Sequence, residues 1–305
     1  MKKTCIIIAG PTAVGKTSIA LAIAKHFSTE IISADSRQCF KQLNIGVAKP
    51  STAELGAVNH YFINSHSIED DISAADFESY ALKAIENIFL KNDVAVMVGG
   101  TGLYIKAFCE GMDEIPAIDP SVRNAIITDY NNNGIQWLRE QVKEKDNDYF
   151  VKGEIENPQR MMRALEVKMS TGQSIISFHS KQKKERDFDI IKIGLELPRE
   201  ILYQHINKRV DQMMEAGLLE EVRSLVRFKR LNALQTVGYR ELFDHLDGKI
   251  TLEKAIELVK QNTRHYAKRQ VTWFKKDLDV KWTPPDLRIV LKYLDTEFGN
   301  LEIWK

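Results

Sequence analysis

Cysteine is scarce: the 305 residues hold three, Cys5, Cys39 and Cys109, far apart and without a CxxC pair. Neither a disulfide framework nor a thiolate zinc site is expected. Long apolar runs are missing too. The run after Lys2 and Lys3 ends at Ala9 and passes straight into glycines, which is too short for a signal peptide's hydrophobic segment. No later run has the length of a membrane span. These absences point to a protein of the reducing cytoplasm without membrane contact. A dominant charge is absent as well. Lys plus Arg number 43 against 42 Asp plus Glu, a formal net charge of +1, which excludes a chain that is basic throughout, so any nucleic-acid contact has to come from particular segments. No internal repeat or low-complexity segment is found. The hydrophobic content of 44% is ample for a core domain carrying an insertion.

Thr4–Ala9 reads as a buried strand, a glycine loop follows, and Ser18–His26 continues as a helix. Short apolar runs at Ile31–Ala34 and Val94–Val98 end at Asp35 and at Gly99-Gly100-Thr101-Gly102. Between them, Ala74–Leu90 has helical periodicity, with Asp71 and Ser73 as possible caps. Alternating strands and helices imply an α/β fold, a parallel sheet with helices on both faces. From about Asp119 to Asp189 strand-like runs vanish, and polar helical segments joined by turn signals such as Asn131-Asn132-Asn133-Gly134 take over. This segment is expected to be an inserted, mainly helical lobe over residues 119–189, with the core built from 1–118 and 190–305. In the lobe, Asn157-Pro158 looks like a cap and first helical residue for a helix reaching about Ser170, and the basic stretch Lys181–Arg186 lies near the exit. Ile190–Leu197 reads as a returning strand. Helical patterns then cover Arg199–Ala216, Leu218–Phe228, Arg240–Leu246 and Leu252–Phe274.

The loop Gly10, Pro11, Thr12, Ala13, Val14, Gly15, Lys16, Thr17 matches GxxxxGK[ST] in full and sits between a strand and a helix, the context that gives the pattern its force. Such a loop cradles phosphate oxygens on backbone N–H groups and the positive end of a helix dipole. Lys16 adds a cation, and the Thr17 hydroxyl is placed for a Mg²⁺. The core is thus expected to have the fold of the phosphate-loop NTPases. An ATPase of this kind also needs a carboxylate at the end of a buried strand to orient Mg²⁺ and water, whereas Val94–Val98 ends in glycines and a threonine. Only Asp35 stands in a comparable place, at the tip of the second strand. It either takes a proton from a nucleophile beside the phosphates or caps the next turn. Thr101 either contacts a ligand or caps a helix starting near Gly102. Arg209 is a candidate second cation for a leaving phosphate, although position alone fits a surface arginine equally. Group transfer is favoured over motor or switch activity.

Lys260–Lys276 contains Lys260, Arg264, Lys268, Arg269, Lys275 and Lys276 and no acidic residue. The first three are four apart and share a helix face, while Tyr266, Trp273 and Phe274 can anchor the other side. A cationic stripe suits a phosphodiester backbone, and a solvated basic helix fits as well. Arg160 and Arg163 on the lobe would extend a positive surface.

Over nearly its whole length the chain resembles the tRNA dimethylallyltransferase (tRNA isopentenyltransferase) family. The resemblance lies in Gly10–Thr17, Asp35-Ser36-Arg37-Gln38, Ile45–Pro50, Ala74–Phe77, Gly99–Tyr104, Asn157–Arg160, Val237–Arg240 and Ala267–Gln270. It implies transfer of a dimethylallyl group from dimethylallyl diphosphate to N6 of adenosine 37, in the tRNA anticodon stem-loop, with Mg²⁺ as the metal. In that family the loop, though commonly labelled nucleotide-binding, holds the donor's diphosphate. The resemblance assigns Asp35 as general base and places Thr101 and Arg209 at the reacting end. It assigns tRNA contacts to Asp35, Ser36, Arg37, Gln38, Thr101, Arg123, Gln159, Arg160, Met161, Met162, Arg163, Gln235, Thr236, Val237, Gly238, Tyr239 and Arg240; Arg264 and Lys268 of the stripe are added to these. A monomer is expected. The chain departs from the family pattern at Cys39-Phe40, Val47 and Asn64, and in a short link between Phe228 and Gln235. The alternatives are a small-molecule kinase of the phosphate-loop class using ATP, a nucleotide-dependent RNA-binding factor without chemistry, and a prenyltransferase of free adenine nucleotides.

Overall fold

The runs of Ile, Val and Ala that read as strands become the middle of one parallel sheet. Its strands are β1 (Thr4–Ala9), β2 (Ile31–Ala34), β3 (His60–Tyr61), β4 (Val94–Gly99), β5 (Asp189–Leu195) and β6 (Val280–Thr283), in the order β3-β2-β4-β1-β5-β6. A strand covered on both faces has no polar side to show, and every residue of β1 is buried. Thr4 pairs with Val94 on one side and with Asp189 on the other. Because β4 lies between β1 and β2, the chain leaves β1, passes its neighbour and returns. That reversal opens a crevice at the carboxyl ends of β1, β4 and β2.

The structure is a computed structural model that describes residues 2–116, 118–179 and 182–299. Helices α1 (Lys16–His26), α2 (Thr52–Ala57), α3 (Ala74–Phe89) and α4 (Gly102–Glu110) alternate with the first four strands. Ser73 caps α3 reciprocally with Asp76, its side chain accepting from the Asp76 amide. After the insertion, α8 (Arg199–Glu215), α9 (Leu218–Ser224), α10 (Tyr239–Leu246), α11 (Leu252–Phe274) and α12 (Leu287–Glu297) complete the core unit. Ile6, Ile8, Ile23, Val96, Ile193, Ile206 and Val290 belong to one apolar cluster around the sheet.

The chain divides into a unit made of residues up to Gly111 and from Glu185 onward, and a second unit, Met112–Lys184. The insertion therefore opens and closes earlier than the 119–189 span expected from the fading of strand patterns. At the return the physical reason is Arg186. Its guanidinium donates to Phe108 O at 2.8 Å, Ala107 O at 3.1 Å and Glu78 Oε1 at 2.8 Å, which fixes the chain to α4 before β5 begins. Arg186 is thus a largely enclosed anchor of the core, at the lobe's exit where the stretch Lys181–Arg186 is expected; Lys181 lies outside the described residues.

The second unit holds α5 (Pro120–Lys145), α6 (Asn147–Lys152), α7 (Pro158–Thr171) and a 3₁₀ turn, Ile175–Phe178. Asn131, Asn132 and Asn133 do not form a loop. Asn133 Nδ2 donates back to Asp129 O at 2.9 Å within α5, and the break is confined to Gly134, at φ 76° and ψ −170°. Asn157 caps α7, accepting from the Gln159 and Arg160 amides.

Candidate active site

The phosphate loop leaves β1 with its backbone in conformations that few side chains tolerate. Gly15, the residue capping α1, is left-handed at φ 103°, and Ala13 has φ 65°, a conformation that costs about 1–2 kcal/mol for a residue with a Cβ. No side chain caps α1 and its first turn has no acidic residue, so its opening amides and dipole favour an anion. Lys16 Nζ folds over the loop, donating to Gly10 O at 2.9 Å and Pro11 O at 2.7 Å. Removal from water lowers the Lys16 pKa to about 7; the Asp35 carboxylate raises it, and Arg209 lowers it further. Those influences place Asp35 and Arg209 in the same electrostatic neighbourhood as Lys16. Burial also pushes the Arg209 guanidinium below its usual range; the side chain is half-buried.

Ala13, Gly15, Lys16, Asp35 and Arg209 line one cleft, open to solvent. Thr12, Lys16, Thr17 and Arg209 give it a polar lining, and Asp35 joins them from the tip of β2, close enough to Lys16 to raise its pKa. Ile31, Val47, Ala48, Pro50, Ile63 and Val98 supply an apolar wall.

Asp35 does cap the turn that follows it: its Oδ1 accepts from the Arg37 amide at 2.9 Å and the Gln38 amide at 3.2 Å. Both bonds fall on the same oxygen, so the turn holds the carboxylate still while it faces the cleft. Thr101 precedes α4 without capping it. Its Oγ1 instead accepts from the Ser36 amide at 3.0 Å, and it is hydrogen-bonded to Tyr266, whose phenol removal from water pushes up to about 12. Thr101, Ser36 and Tyr266 thereby join the tips of β2 and β4 to α11.

Gln38 is engaged within the protein at both ends of its amide. Its Oε1 accepts from Ser33 Oγ at 3.2 Å, and its Nε2 donates to Val47 O at 3.1 Å and Ala48 O at 3.0 Å. It holds the apolar wall against β2 and is not a free hydrogen-bonding arm. Glu221, which sequence reasoning passed over, fixes the same loop from the other side. It accepts from the Ile45 and Gly46 amides at 2.8 and 3.1 Å and from Tyr239 Oη at 2.6 Å. Nothing in a glutamate on an amphipathic helix signals that role. The departures from the family pattern are absorbed locally: Cys39 and Phe40 are buried, and Asn64 Oδ1 accepts from Lys49 Nζ at 2.6 Å.

Several expected RNA-contacting side chains face inward. Tyr239 is fully buried, and burial drives its phenol pKa up. Met161 and Met162 pack in the lobe's own core with Leu138, Val142 and Leu165. Arg264 donates to Asn207 Oδ1 at 2.7 Å, and Lys260 pairs with Asp211 at 2.7 Å, so the stripe on α11 is partly answered by α8. Lys268 and Arg240 are exposed. Gln235 is exposed too, its Nε2 donating to Lys229 O at 2.6 Å; Thr236 and Val237 are half-buried, and Gly238 is buried. On the lobe, Arg123 and Arg163 converge on Glu166, at 3.7 and 3.3 Å, and Arg160 pairs with Glu154. Gln159 is exposed there.

Among the described residues no cluster of His, Cys, Asp and Glu could hold a metal, and no helix is long and apolar enough to cross a membrane. A divalent ion here would thus rest on ligand oxygens and the Thr17 hydroxyl, a donor set of the hard oxygen kind that Mg²⁺ accepts.

Comparison with known proteins places the chain among its relatives. The family model described as IPP transferase matches residues 38–277. The chain is 50% identical over 282 residues to a tRNA dimethylallyltransferase of Christiangramia forsetii, covering 92% of this chain and 93% of the relative. It is 49% identical over 286 residues to the enzyme of the same name from Flavobacterium johnsoniae, covering 92% and 93%. Among solved structures, a tRNA isopentenylpyrophosphate transferase of Bacillus halodurans superposes with a TM-score of 0.72 at 34% identity, over 99% of this chain and 97% of that one. A eukaryotic dimethylallyltransferase acting on tRNA superposes with a TM-score of 0.78 at 27% identity, over 96% and 76%.

Proposed function

Since the chain belongs to the IPP transferase family, we propose that it transfers the dimethylallyl group of dimethylallyl diphosphate to N6 of adenosine 37 in the anticodon stem-loop of tRNA. The observation that carries this reading is the mixed lining of one cleft: a cationic phosphate loop, a held carboxylate beside it and an apolar wall. A diphosphate fits the loop, a five-carbon tail fits the wall, and an adenine amine fits beside Asp35. A kinase would need a polar acceptor pocket where Val47, Ala48, Pro50 and Ile63 stand.

The C1–O bond of the donor breaks as the C1–N6 bond forms. Its electron pair leaves with the diphosphate, whose growing charge meets the loop amides, Lys16 and Arg209. The adenine amine is a weak nucleophile because its lone pair is delocalised into the ring, and Asp35 takes the N6 proton as the new bond forms. When bound, Mg²⁺ at the Thr17 hydroxyl and the diphosphate oxygens would stabilise the leaving group's charge. The target base has to leave its stack to reach the cleft. In this reading the enzyme works in the cytoplasm, as a monomer.

The test is incubation of the protein with unmodified tRNA, Mg²⁺ and radiolabelled dimethylallyl diphosphate, alongside parallel reactions with free AMP as acceptor and with labelled ATP as donor. Label is expected on tRNA alone. Transfer to AMP but not to tRNA, or of phosphate from ATP, would overturn the reading.

A further inference from the structure

One side chain of α11 enters the cleft between its two loops. Gln270 is buried, at 6% exposure, on a helix whose neighbouring surface is basic. Its Oε1 accepts from the Thr12 amide at 2.8 Å and its Nε2 donates to Gly100 O at 2.9 Å. Thr12 belongs to the phosphate loop after β1, and Gly100 to the turn after β4 that presents Thr101. An amide N–H cannot accept and a carbonyl cannot donate, so one orientation of the Gln270 amide satisfies both loops and the flipped one satisfies neither. A buried primary amide left unpaired costs about 1–3 kcal/mol; here both ends are used.

The fit is close from the other side too. A Cβ added to Gly100 would lie 2.1 Å from Gln270 Nε2, so glycine is what lets the turn approach the amide. The bond to Gln270 also commits the Thr12 amide to the protein, which leaves the phosphate cradle to the amides that follow it.

We infer that Gln270 is a positioning residue, which sets the distance between the diphosphate cradle and the acceptor side of the cleft by clamping Thr12 to Gly100. This rests on the prenyl-transfer reading above. In-line displacement requires C1 of the donor, held by one loop, to meet N6 of the acceptor, held beside the other. A misplacement of 1 Å costs on the order of 10²-fold in rate. The clamp acts through the two backbones, whereas Lys16 and the α1 amides hold the donor without it.

The test compares Gln270→Met, which keeps the volume and loses both hydrogen bonds, with Gly100→Ala, which displaces the amide from the opposite side. For each, kcat for transfer to tRNA is measured together with calorimetric affinity for dimethylallyl diphosphate and the melting temperature. Both variants should lose on the order of 10²-fold in kcat while donor affinity stays within about threefold. With Gln270→Ala also measured alone, the double variant Gln270→Ala with Gly100→Ala should be no slower than the worse of its two single variants, because the shortened side chain relieves the clash and both changes act on one clamp. A wild-type kcat in folded Gln270→Met would overturn the inference, as would additive losses in the double variant or a fall of rate and donor affinity in proportion. If either variant fails to fold, the other and the double variant decide. A wild-type protein that does not prenylate tRNA would instead overturn the reading beneath it.

Discussion

Ser36 donates its amide to the Thr101 hydroxyl at 3.0 Å, so the tip of β2, where Asp35 sits, is tied directly to the turn that ends β4. The helix that begins at Gly102 gains no side-chain cap from this threonine; its hydroxyl is engaged by Ser36 and Tyr266. Thr101→Ala should therefore lower kcat by about tenfold to a hundredfold while lowering stability by only about 0.5–1.5 kcal/mol, the net worth of a hydrogen bond. Thr101→Ser should recover most of the rate. Steady-state kinetics and urea denaturation of the two variants check this; equal rates for the alanine and serine forms would show that the hydroxyl is idle.

Asp35 caps the turn and lines the cleft with one side chain. Asparagine retains an oxygen for the Arg37 and Gln38 amides but no longer accepts a proton as a base. Asp35→Asn should keep tRNA affinity and the melting temperature, and lose about 10²–10⁴-fold in turnover, the range for removal of a general base. Filter binding, melting curves and single-turnover rates test it. Unchanged turnover would reduce Asp35 to a turn cap.

Lys16 ties donor binding to pH. In the free protein it titrates near 7 because burial disfavours its charge, and a bound diphosphate favours the charged form, so its pKa rises on binding. Binding above about pH 7 then takes up a proton, and affinity falls by as much as roughly tenfold per pH unit. Stability of the free protein has the opposite sign. The unfolded chain keeps this proton up to its ordinary value of 10.5, the unfolded state binds more protons in between, and the group adds stability as pH climbs from about 7 toward 10.5. Calorimetry and melting curves from about pH 6.5 to about pH 9 should show both trends in the wild type and neither in Lys16→Met. Equal slopes in the two proteins would contradict the linkage.

The stripe on α11 is not uniform. The Lys260 ammonium is already paired with Asp211, whereas Lys268 is exposed. Lys268→Ala should reduce the slope of log affinity for tRNA against log salt by about 0.7–0.9, the value of one phosphate contact; Lys260→Ala should leave it unchanged. Affinities measured at several salt concentrations separate the two, and identical slopes for both variants would contradict the distinction.

Much of this site can be read from the chain because its parts lie at the ends of apolar strands. The loop after Ala9, Asp35 after Ala34 and Thr101 after the glycines of β4 all follow runs whose burial is plain from composition. The span Leu252–Phe274 is likewise helical from end to end, since its apolar residues keep a helical period. The sequence reading assigned nothing to β6 and α12. β6 has four residues, one of them a lysine, and α12 follows Pro284 and Pro285, where a turn signal masks the helix. Side-chain partnerships were less accessible still. Gln38 and Tyr239 look like ligand contacts when read as motifs, yet their partners, Val47 and Glu221, are brought to them only by tertiary folding. Gln270 stood inside a recognised stretch, but its two partners are 258 and 170 residues away, beyond the reach of any local pattern.

The Arg186 anchor bears on how such a chain can change over generations. Core residues run out at Gly111 and resume at Glu185, and one guanidinium near the return holds the last turn of α4. The two open ends of the core are thus kept within the span of an arginine side chain, whatever lies between them. Closing a longer excursion costs only about 0.6 kcal/mol per doubling of its length. Insertions and deletions in the lobe should accordingly accumulate in a lineage while the sheet that shapes the cleft is inherited unaltered, leaving the lobe free to diverge faster than the core.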